Sequence, residues 1–344
     1  MGETAYNYTW ESPSNIALVK YWGKKGIQLP ANPSISFTLN TSKTHTTLKA
    51  VESNSPEIGV EVFVEGQINE AFKPKVAKLL EFAIERFPKL ERFEFRVETS
   101  NTFPHSSGIA SSASGMSALA LCICSLAVDL KLFDEEDFFL EASQLSRLGS
   151  GSACRSVYGG LATWGILSNI AGSSDKYAIP YEDVHPDYLK YQDTILLIHK
   201  GQKSVSSTVG HKLLDNHPFA DIRYQEAHRN MDKLMDVMRG TDFMKFGEII
   251  ENEALMLHAL MMTSNPYFIL MQPETLAAIE KIRLFRKQNG VPIAFTLDAG
   301  ANVHVLYPEN AKSEVLKFVE KDLVSYCEDG TYLCDSVGRG PTKL

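Results

Sequence analysis

The segment Asn101–Gly115, NTFPHSSGIASSASG, runs directly into an apolar stretch, Met116–Val128, and this junction constrains the chain more than any other feature. Gly108 and Gly115 let a backbone bend and approach a ligand with no Cβ in the way. Ser106, Ser107, Ser111 and Ser112 add hydroxyl donors. The apolar stretch is rich in helix formers, so the free N–H groups of its first turn would point into whatever the loop encloses, an arrangement suited to phosphate. A serine-rich turn capping an ordinary core helix would use the same residues. The pattern is neither GxxxxGK[ST] nor GxGxxG, so neither of those nucleotide-binding loops accounts for it.

A chain of 344 residues exceeds the usual single-domain size, and two domains are expected, each able to bury a core. The 34 basic and 42 acidic residues leave a net charge of −8, which argues against nucleic acid or an anionic membrane as a general partner. An anionic ligand would need a local positive field. The cysteines, Cys122, Cys124, Cys154, Cys327 and Cys334, are odd in number and follow no metal-binding spacing, so they read as reduced thiols of a cytoplasmic protein. The N-terminus has no basic region followed by an apolar core, and no segment is expected to approach the ~18 apolar residues of a membrane span.

Strands are expected at Ser36–Leu39, Thr44–Val51, Val60–Val64 and Phe93–Thr99. Between them Val76, Leu79, Leu80, Ala83, Ile84 and Phe87 share one helical face that Pro88 ends. A buried helix through Leu130 and an amphipathic one at Glu135–Leu148 follow, then a flexible polar turn, Gly149–Arg155, and a strand at Leu161–Trp164. The polar passage 168–191 is the expected domain boundary. Beyond it come a strand at Thr194–His199, helices at Phe219–Met238, Phe243–Met262 and Pro273–Gln288, strands at Pro292–Leu297 and Val303–Tyr307, and a helix at Lys312–Lys321. This is the balance of an α+β sandwich. The Met and Leu stripe Leu255–Met262 reads as core.

Lys20, Tyr21, Lys24 and Lys25 cluster where a strand runs into a glycine turn, and they supply the local positive charge that the acidic total demands. Lysine is a point-charge partner for phosphate and tyrosine a neutral donor; a solvated basic turn is the alternative. Arg155 follows two Gly/Ser pairs, where a guanidinium is able to clamp a carboxylate or phosphate, or else to form a surface ion pair. Asp298 ends an apolar strand just ahead of Ala299-Gly300, a setting for a general base or for an Asx-type turn.

Taken in order, these segments resemble the diphosphomevalonate decarboxylases of the galactokinase, homoserine kinase, mevalonate kinase and phosphomevalonate kinase (GHMP kinase) superfamily. The similarity runs from about Thr9 to Tyr307, through NIALVKYWGKK at Asn15–Lys25, NPSISFTL at Asn32–Leu39, FPHSSGIASSASG at Phe103–Gly115, GSGSACRSVYGG at Gly149–Gly160, KSVSSTVG at Lys203–Gly210 and FTLDAGANV at Phe295–Val303. The resemblance implies an α+β GHMP kinase fold. Its N-terminal domain (1–190) would be like domain 2 of ribosomal protein S5 and its C-terminal domain (191–344) a ferredoxin-like sandwich, with the site in the cleft between them and the last segment able to pack back on the first domain. It also implies ATP-dependent conversion of (R)-5-diphosphomevalonate to isopentenyl diphosphate, ADP, phosphate and carbon dioxide, through phosphorylation of the 3-hydroxyl.

By the same resemblance Asp298 would take or orient the 3-hydroxyl proton, Arg155 hold the C1 carboxylate, and Lys20 assist at the reacting end or the ATP phosphates. Tyr21, Lys24, Ser150, Ser152 and Ser207 would hold the diphosphate, while Ser106, Ser107, Gly108, Ala110, Ser111 and Ser112 would cradle ATP. Magnesium would be bound mainly through the ATP phosphates, with Ser111 or Ser112 as the candidate protein ligand. Relatives of this kind are commonly homodimers. Three departures stand out: His105-Ser106-Ser107 where the family usually has Thr-Ala-Ala, His211 in place of a common Met, and Ala301 in place of Pro. A phosphomevalonate decarboxylase, a mevalonate 3-kinase-like enzyme and a catalytically idle nucleotide-binding protein are the alternatives.

Overall fold

Two long strands organise the first half of the chain, whose computed structural model describes residues 5–53, 59–104, 109, 111–201 and 207–344. Strand β1 (Ala5–Val19) turns through a small hairpin of β2 (Lys24–Lys25) and β3 (Leu29–Pro30) into β4 (Ser34–Glu52), and β1 and β4 pair antiparallel from Ala5↔Val51 to Val19↔Ile35. The threonine-rich sequence of β4 suits a half-buried pleated surface. The two strands expected at Ser36–Leu39 and Thr44–Val51 are therefore one. They are separated only by a bulge, because the register jumps between Pro13↔Lys43 and Asn15↔Thr38. The Asp335 carboxylate accepts the main-chain N–H groups of Asn40, Thr41 and Ser42 at 2.8, 2.9 and 2.8 Å, which satisfies donors that the bulge withdraws from the ladder.

The first sheet continues with β5 (Val60–Val64), β6 (Gln67–Ile68) and β7 (Phe93–Asn101), and with β8 (Leu161–Trp164) and β9 (Ala178–Pro180) beside the start of β4. Strands β5 and β7 are parallel, and helix α1 (Lys73–Arg86) makes the crossover with Val76, Leu79, Leu80 and Ala83 buried, the face expected from periodicity. Helix α3 (Phe138–Gly149) packs beside both α1 and α2 (Ser111–Asp129). Contrary to the expectation from sequence, α2 is by itself long and apolar enough to cross a membrane. Here its circumference is buried by β1, β4 and α3, which is why it carries no polar face. Its few polar side chains are paired internally: Ser117 accepts from the Ser12 hydroxyl at 2.8 Å, and Ser125 accepts from Trp10 Nε1 at 2.9 Å.

The second sheet holds β10 (Gln192–Leu196), β11 (Ala294–Leu297), β12 (Val303–Tyr307) and β13 (Tyr332–Ser336), all antiparallel, in the order β11-β12-β10-β13. Between β10 and β11 run α4 (Ser207–Lys212), α5 (Ala220–Met238), α6 (Phe243–Met262) and α7 (Pro273–Asn289); α8 (Lys312–Phe318) lies between β12 and β13. Gly290 closes α7 in the left-handed region, at φ 67°, and donates to the Arg286 carbonyl at 2.9 Å. Of the Met and Leu stripe, Leu257, Leu260 and Met261 are core, while Leu255 and Met262 are exposed.

The two sheets do not keep separate cores. Ile16, Leu18 and Phe37 of β1 and β4 share one cluster with Met231, Phe246 and Ile250 of α5 and α6. The C-terminal segment then crosses back: Gly338 donates to the Thr38 carbonyl and accepts from Gly160 N–H, each at 2.8 Å, and β14 (Thr342–Lys343) pairs with Trp10 and Glu11. At Gly159 a Cβ would stand 2.3 Å from the Arg339 carbonyl oxygen, so only glycine lets the tail lie there. The Gly159→Ala protein should lose about 1–3 kcal/mol of stability, as overpacking against held backbone does. This is read as a lowered urea midpoint, and an unchanged midpoint would show that the tail yields freely.

Candidate active site

Strand β1 stops at Val19 and delivers Lys20 into the interior, where it is only 1% exposed. Its N–H donates to Glu253 Oε2 at 2.9 Å, its carbonyl accepts from Asn32 Nδ2 at 3.0 Å and from an Arg223 guanidinium nitrogen at 3.2 Å, and its ammonium donates to the Ala17 carbonyl at 2.6 Å. Burial pulls the ammonium down to about 8, against the opposing pull of Asp298, Glu253 and Asp193, while Arg155 lowers it further. A solvated basic turn does not describe this lysine.

Arg155 is likewise no surface residue. The segment read as a flexible turn is a 3₁₀ stretch, Gly151–Val157, wedged against α2, α3 and β1, and it leaves Arg155 only 2% exposed. Its Nε donates to Ser36 Oγ at 2.9 Å, one terminal nitrogen to Ser34 Oγ, and the other to Asn15 Oδ1 at 3.2 Å. Ser34 and Ser36 alternate along β4 and so face one side. These acceptors are neutral, and among the described residues no carboxylate comes within ion-pair distance of the guanidinium. Burial accordingly holds its pKa below the usual arginine value, and Asp298 is among the groups opposing that shift. A fully buried cation left without an ionic partner is a place built for an anion.

Asp298 directly follows β11 and is half-buried. Its carbonyl is 3.1 Å from His258 Nε2 and accepts Gly300 N–H at 2.7 Å, whereas its carboxylate makes no Asx-type bond to its own turn among the described residues. The carboxylate acts electrostatically on both Lys20 and Arg155. Three groups far apart in sequence, at the end of β1, in the 3₁₀ stretch and just after β11, thus share one electrostatic environment.

Beside this centre the Tyr21 ring lies between Trp164 and His211, with ring centroids 4.6 Å away on each side. Its hydroxyl is buried with no hydrogen-bond partner, and a Cβ at Gly151 would come within 2.6 Å of it. Burial raises its pKa well beyond the ordinary tyrosine range. A donor kept neutral and unpaired in a glycine-lined space costs stability unless a ligand uses it. Lys24, in the adjacent hairpin, is half-buried, with its pKa lowered by that burial. Lys25 is exposed. His211 of α4 accepts the Gly23 N–H on Nδ1 at 3.0 Å and stacks on Trp22 at 4.4 Å; burial, helped by Lys24, keeps its pKa well below 6.5, so it is a neutral acceptor that docks α4 on this turn.

Ser112 and Ser150 face each other at 3.1 Å, which joins the start of α2 to the end of α3, and Ser152 gives its carbonyl to Asn15 Nδ2 at 3.2 Å. Ser111 opens α2, and the Ile109 carbonyl is held by Ser14 Oγ at 2.6 Å. His105, Ser106, Ser107, Gly108 and Ala110, and the side chain of Ser207, lie outside the described residues. Among the described residues no group of three or more His, Cys, Asp or Glu side chains is placed to hold a metal.

Several contributors were not singled out from sequence. Arg147, at the end of α3, donates to the Lys176 and Ile27 carbonyls, each at 2.7 Å, and so ties down the hairpin that carries Lys24. Its signal, an arginine in a last helical turn, reads equally as an ordinary dipole partner. Asn15, Ser34 and Ser36 lay within motif segments but carried no assigned role.

Residues 12–178 match the model of the diphosphomevalonate decarboxylase-like N-terminal domain, and residues 194–338 match that of the mevalonate 5-diphosphate decarboxylase C-terminal domain. A diphosphomevalonate decarboxylase of Debaryomyces hansenii is 31% identical over 332 residues, which span 92% of this chain and 84% of the relative. Among solved structures, mevalonate diphosphate decarboxylase of Staphylococcus aureus superposes with a TM-score of 0.84 at 28% identity over 99% of this chain and 98% of its own. A complex of MDDEF with MVAPP, AMPPCP and magnesium reaches 0.85 at 29% identity over 99% of both chains. The mixed α+β architecture is theirs, and the chain belongs to the diphosphomevalonate decarboxylase family.

Proposed function

We propose that this chain catalyses the ATP-dependent decarboxylation of (R)-5-diphosphomevalonate to isopentenyl diphosphate, releasing ADP, phosphate and carbon dioxide. The observation that carries the reading is Arg155, buried on three neutral acceptors and sharing its electrostatic environment with Asp298 and Lys20. A carboxylate-bearing substrate supplies the missing anion. Family membership and the solved complex with MVAPP and AMPPCP point the same way.

In this reading Arg155 orients the C1 carboxylate, and Asp298 takes or orients the proton of the tertiary 3-hydroxyl. Lys20 stabilises charge developing during phosphoryl transfer. A tertiary alcohol leaves poorly and its phosphate ester leaves well, so phosphorylation activates C3 and loss of the carboxylate follows. The work is positioning and electrostatic stabilisation in a site from which water is excluded. Tyr21, Lys24, Ser150, Ser152 and Ser207 hold the diphosphate, a remote handle whose binding energy fixes C3; the unpaired Tyr21 hydroxyl beside Gly151 fits that task.

Ser106, Ser107, Gly108, Ala110, Ser111 and Ser112 receive the ATP phosphates at the N-terminus of α2. Magnesium, when bound, would neutralise phosphate charge, and it would be held chiefly through the ATP phosphates, with Ser111 or Ser112 as the candidate protein ligand. The chain divides near residue 190. The first part is like domain 2 of ribosomal protein S5 within the GHMP kinase fold. The second is ferredoxin-like, supported by its strand-helix-strand-strand-helix-strand path. The protein works in the cytoplasm as a homodimer; its free cysteines accord with a reducing compartment.

The direct experiment measures ADP and carbon dioxide with mevalonate, its 5-phosphate and its 5-diphosphate in parallel. Release of both products only with the diphosphate supports the reading, whereas a stable 3-phosphorylated product without carbon dioxide rejects it. Asp298→Asn should lower kcat by about 10²–10⁴-fold, with KM near that of the parent; comparable kcat would remove Asp298 from the proton transfer. Tyr21→Phe deletes a hydroxyl with no partner, so unfolding free energy should change by less than about 1 kcal/mol while KM for the diphosphate rises roughly tenfold or more. A large loss of stability with unchanged KM would assign the hydroxyl to the fold instead.

A further inference from the structure

The most completely buried ion pair in the described structure, Arg223–Glu253, has side chains 1% and 0% exposed and takes no part in the roles above. The guanidinium reaches Glu253 Oε1 and Oε2 at 3.1 and 2.6 Å, and Asn230 Nδ2 adds a bond to Oε1 at 2.7 Å. The remaining bonds of the pair leave its own helices. Glu253 accepts the main-chain N–H of Lys20, and Arg223 donates to the main-chain carbonyl of the same residue. Strand β1 has ended one residue earlier, so no ladder is left to satisfy these groups in the interior.

A buried ion pair is poor evidence of stabilisation, because apolar residues of similar volume often serve as well or better. This one satisfies both main-chain polar groups of one residue, a task that no apolar pair can do. We propose that Glu253, together with Arg223, is a positioning residue of the reaction: the pair carried by α5 and α6 fixes the main chain at Lys20 and so aims its ammonium into the space shared with Asp298 and Arg155. The inference rests on the part given to Lys20 under the proposed function.

Five charged groups surround Lys20 from the elements packed on it: Asp298 after β11, Asp193 of β10, Glu253 of α6, Arg223 of α5 and Arg155 of the 3₁₀ stretch. Glu253 is one of the carboxylates that keep the ammonium protonated. If the charged form is the active one, kcat/KM of the parent enzyme should fall as pH rises through about 8. Loss of the Glu253 charge should carry that limb to lower pH.

Two variants test this beside the parent. Glu253→Gln keeps the size of the side chain and an acceptor for Lys20 N–H. The double variant Arg223→Met with Glu253→Leu removes the grip and leaves no unpaired charge. The expected results are an alkaline limb displaced to lower pH in Glu253→Gln, and a kcat about 10–100-fold lower in the folded double variant with KM little changed. A folded double variant with parental kcat, or a Glu253→Gln protein whose limb stays in place, overturns the proposal. So does failure of both variants to fold, which would assign the pair to stability alone. A parent enzyme that releases no carbon dioxide from the 5-diphosphate removes the decarboxylase reading and this inference with it, whereas normal parental turnover with unaltered variants defeats positioning only.

Discussion

Lys20, buried where β1 ends, is held through its main chain by Glu253 and Arg223 from the other half of the chain, and the arrangement of the molecule depends on that contact. Lys20 and Arg155 come from the framework of the first sheet, whereas Glu253, Asp193 and Asp298 come from α6, β10 and the end of β11. Glu253 is paired with Arg223 and Asp193 with His304, whereas among the described residues Lys20 and Arg155 have no ion-pair partner, and an uncompensated buried charge costs several kcal/mol or shifts its pKa. The seam therefore cannot be loosely apposed. The shared cluster of Ile16, Leu18 and Phe37 with Met231, Phe246 and Ile250 supplies the apolar contact between the two halves.

Burial of Lys20 and Arg155 at this seam strengthens the electrostatic contacts they make and makes it suitable for phosphoryl transfer followed by loss of a carboxylate. Arg155 illustrates the design. Its neutral acceptors fix the plane of the guanidinium without neutralising it, so the charge remains available to a ligand. Tyr21 follows the same logic on a smaller scale, with aromatic walls holding the ring and nothing holding the hydroxyl.

Much of this was legible in sequence, though not all by local reasoning. The buried face of α1 followed from periodicity, and Lys20, Tyr21, Arg155 and Asp298 were singled out because residues of the right chemistry stood in recognisable segments. What local reading offered as alternatives, a solvated turn, a surface ion pair and an Asx turn, failed because burial is decided by segments far away in the chain. The break expected at Asn40–Ser42 has the same origin: three polar residues look like a loop until Asp335 is seen to cap them. Glu253 and Arg223 sit in helices whose other charged residues mostly face solvent, Glu251 excepted, and nothing nearby marks them as partners of Lys20. The apolar length of α2 was underestimated because its first residues, Ser111–Gly115, were read as the end of the preceding loop, whereas the helix begins at Ser111.

The return of β14 to Trp10 and Glu11 bears on how the protein is made. During vectorial synthesis β1 emerges early, but the neighbour on its outer side arrives only when Thr342 and Lys343 leave the ribosome. Until then the nascent chain presents an open strand edge, the kind of surface that recruits a stray strand from another molecule. Pairing at Trp10 and Glu11 thus waits for a segment far downstream in the chain rather than for assembly of the strands beside it.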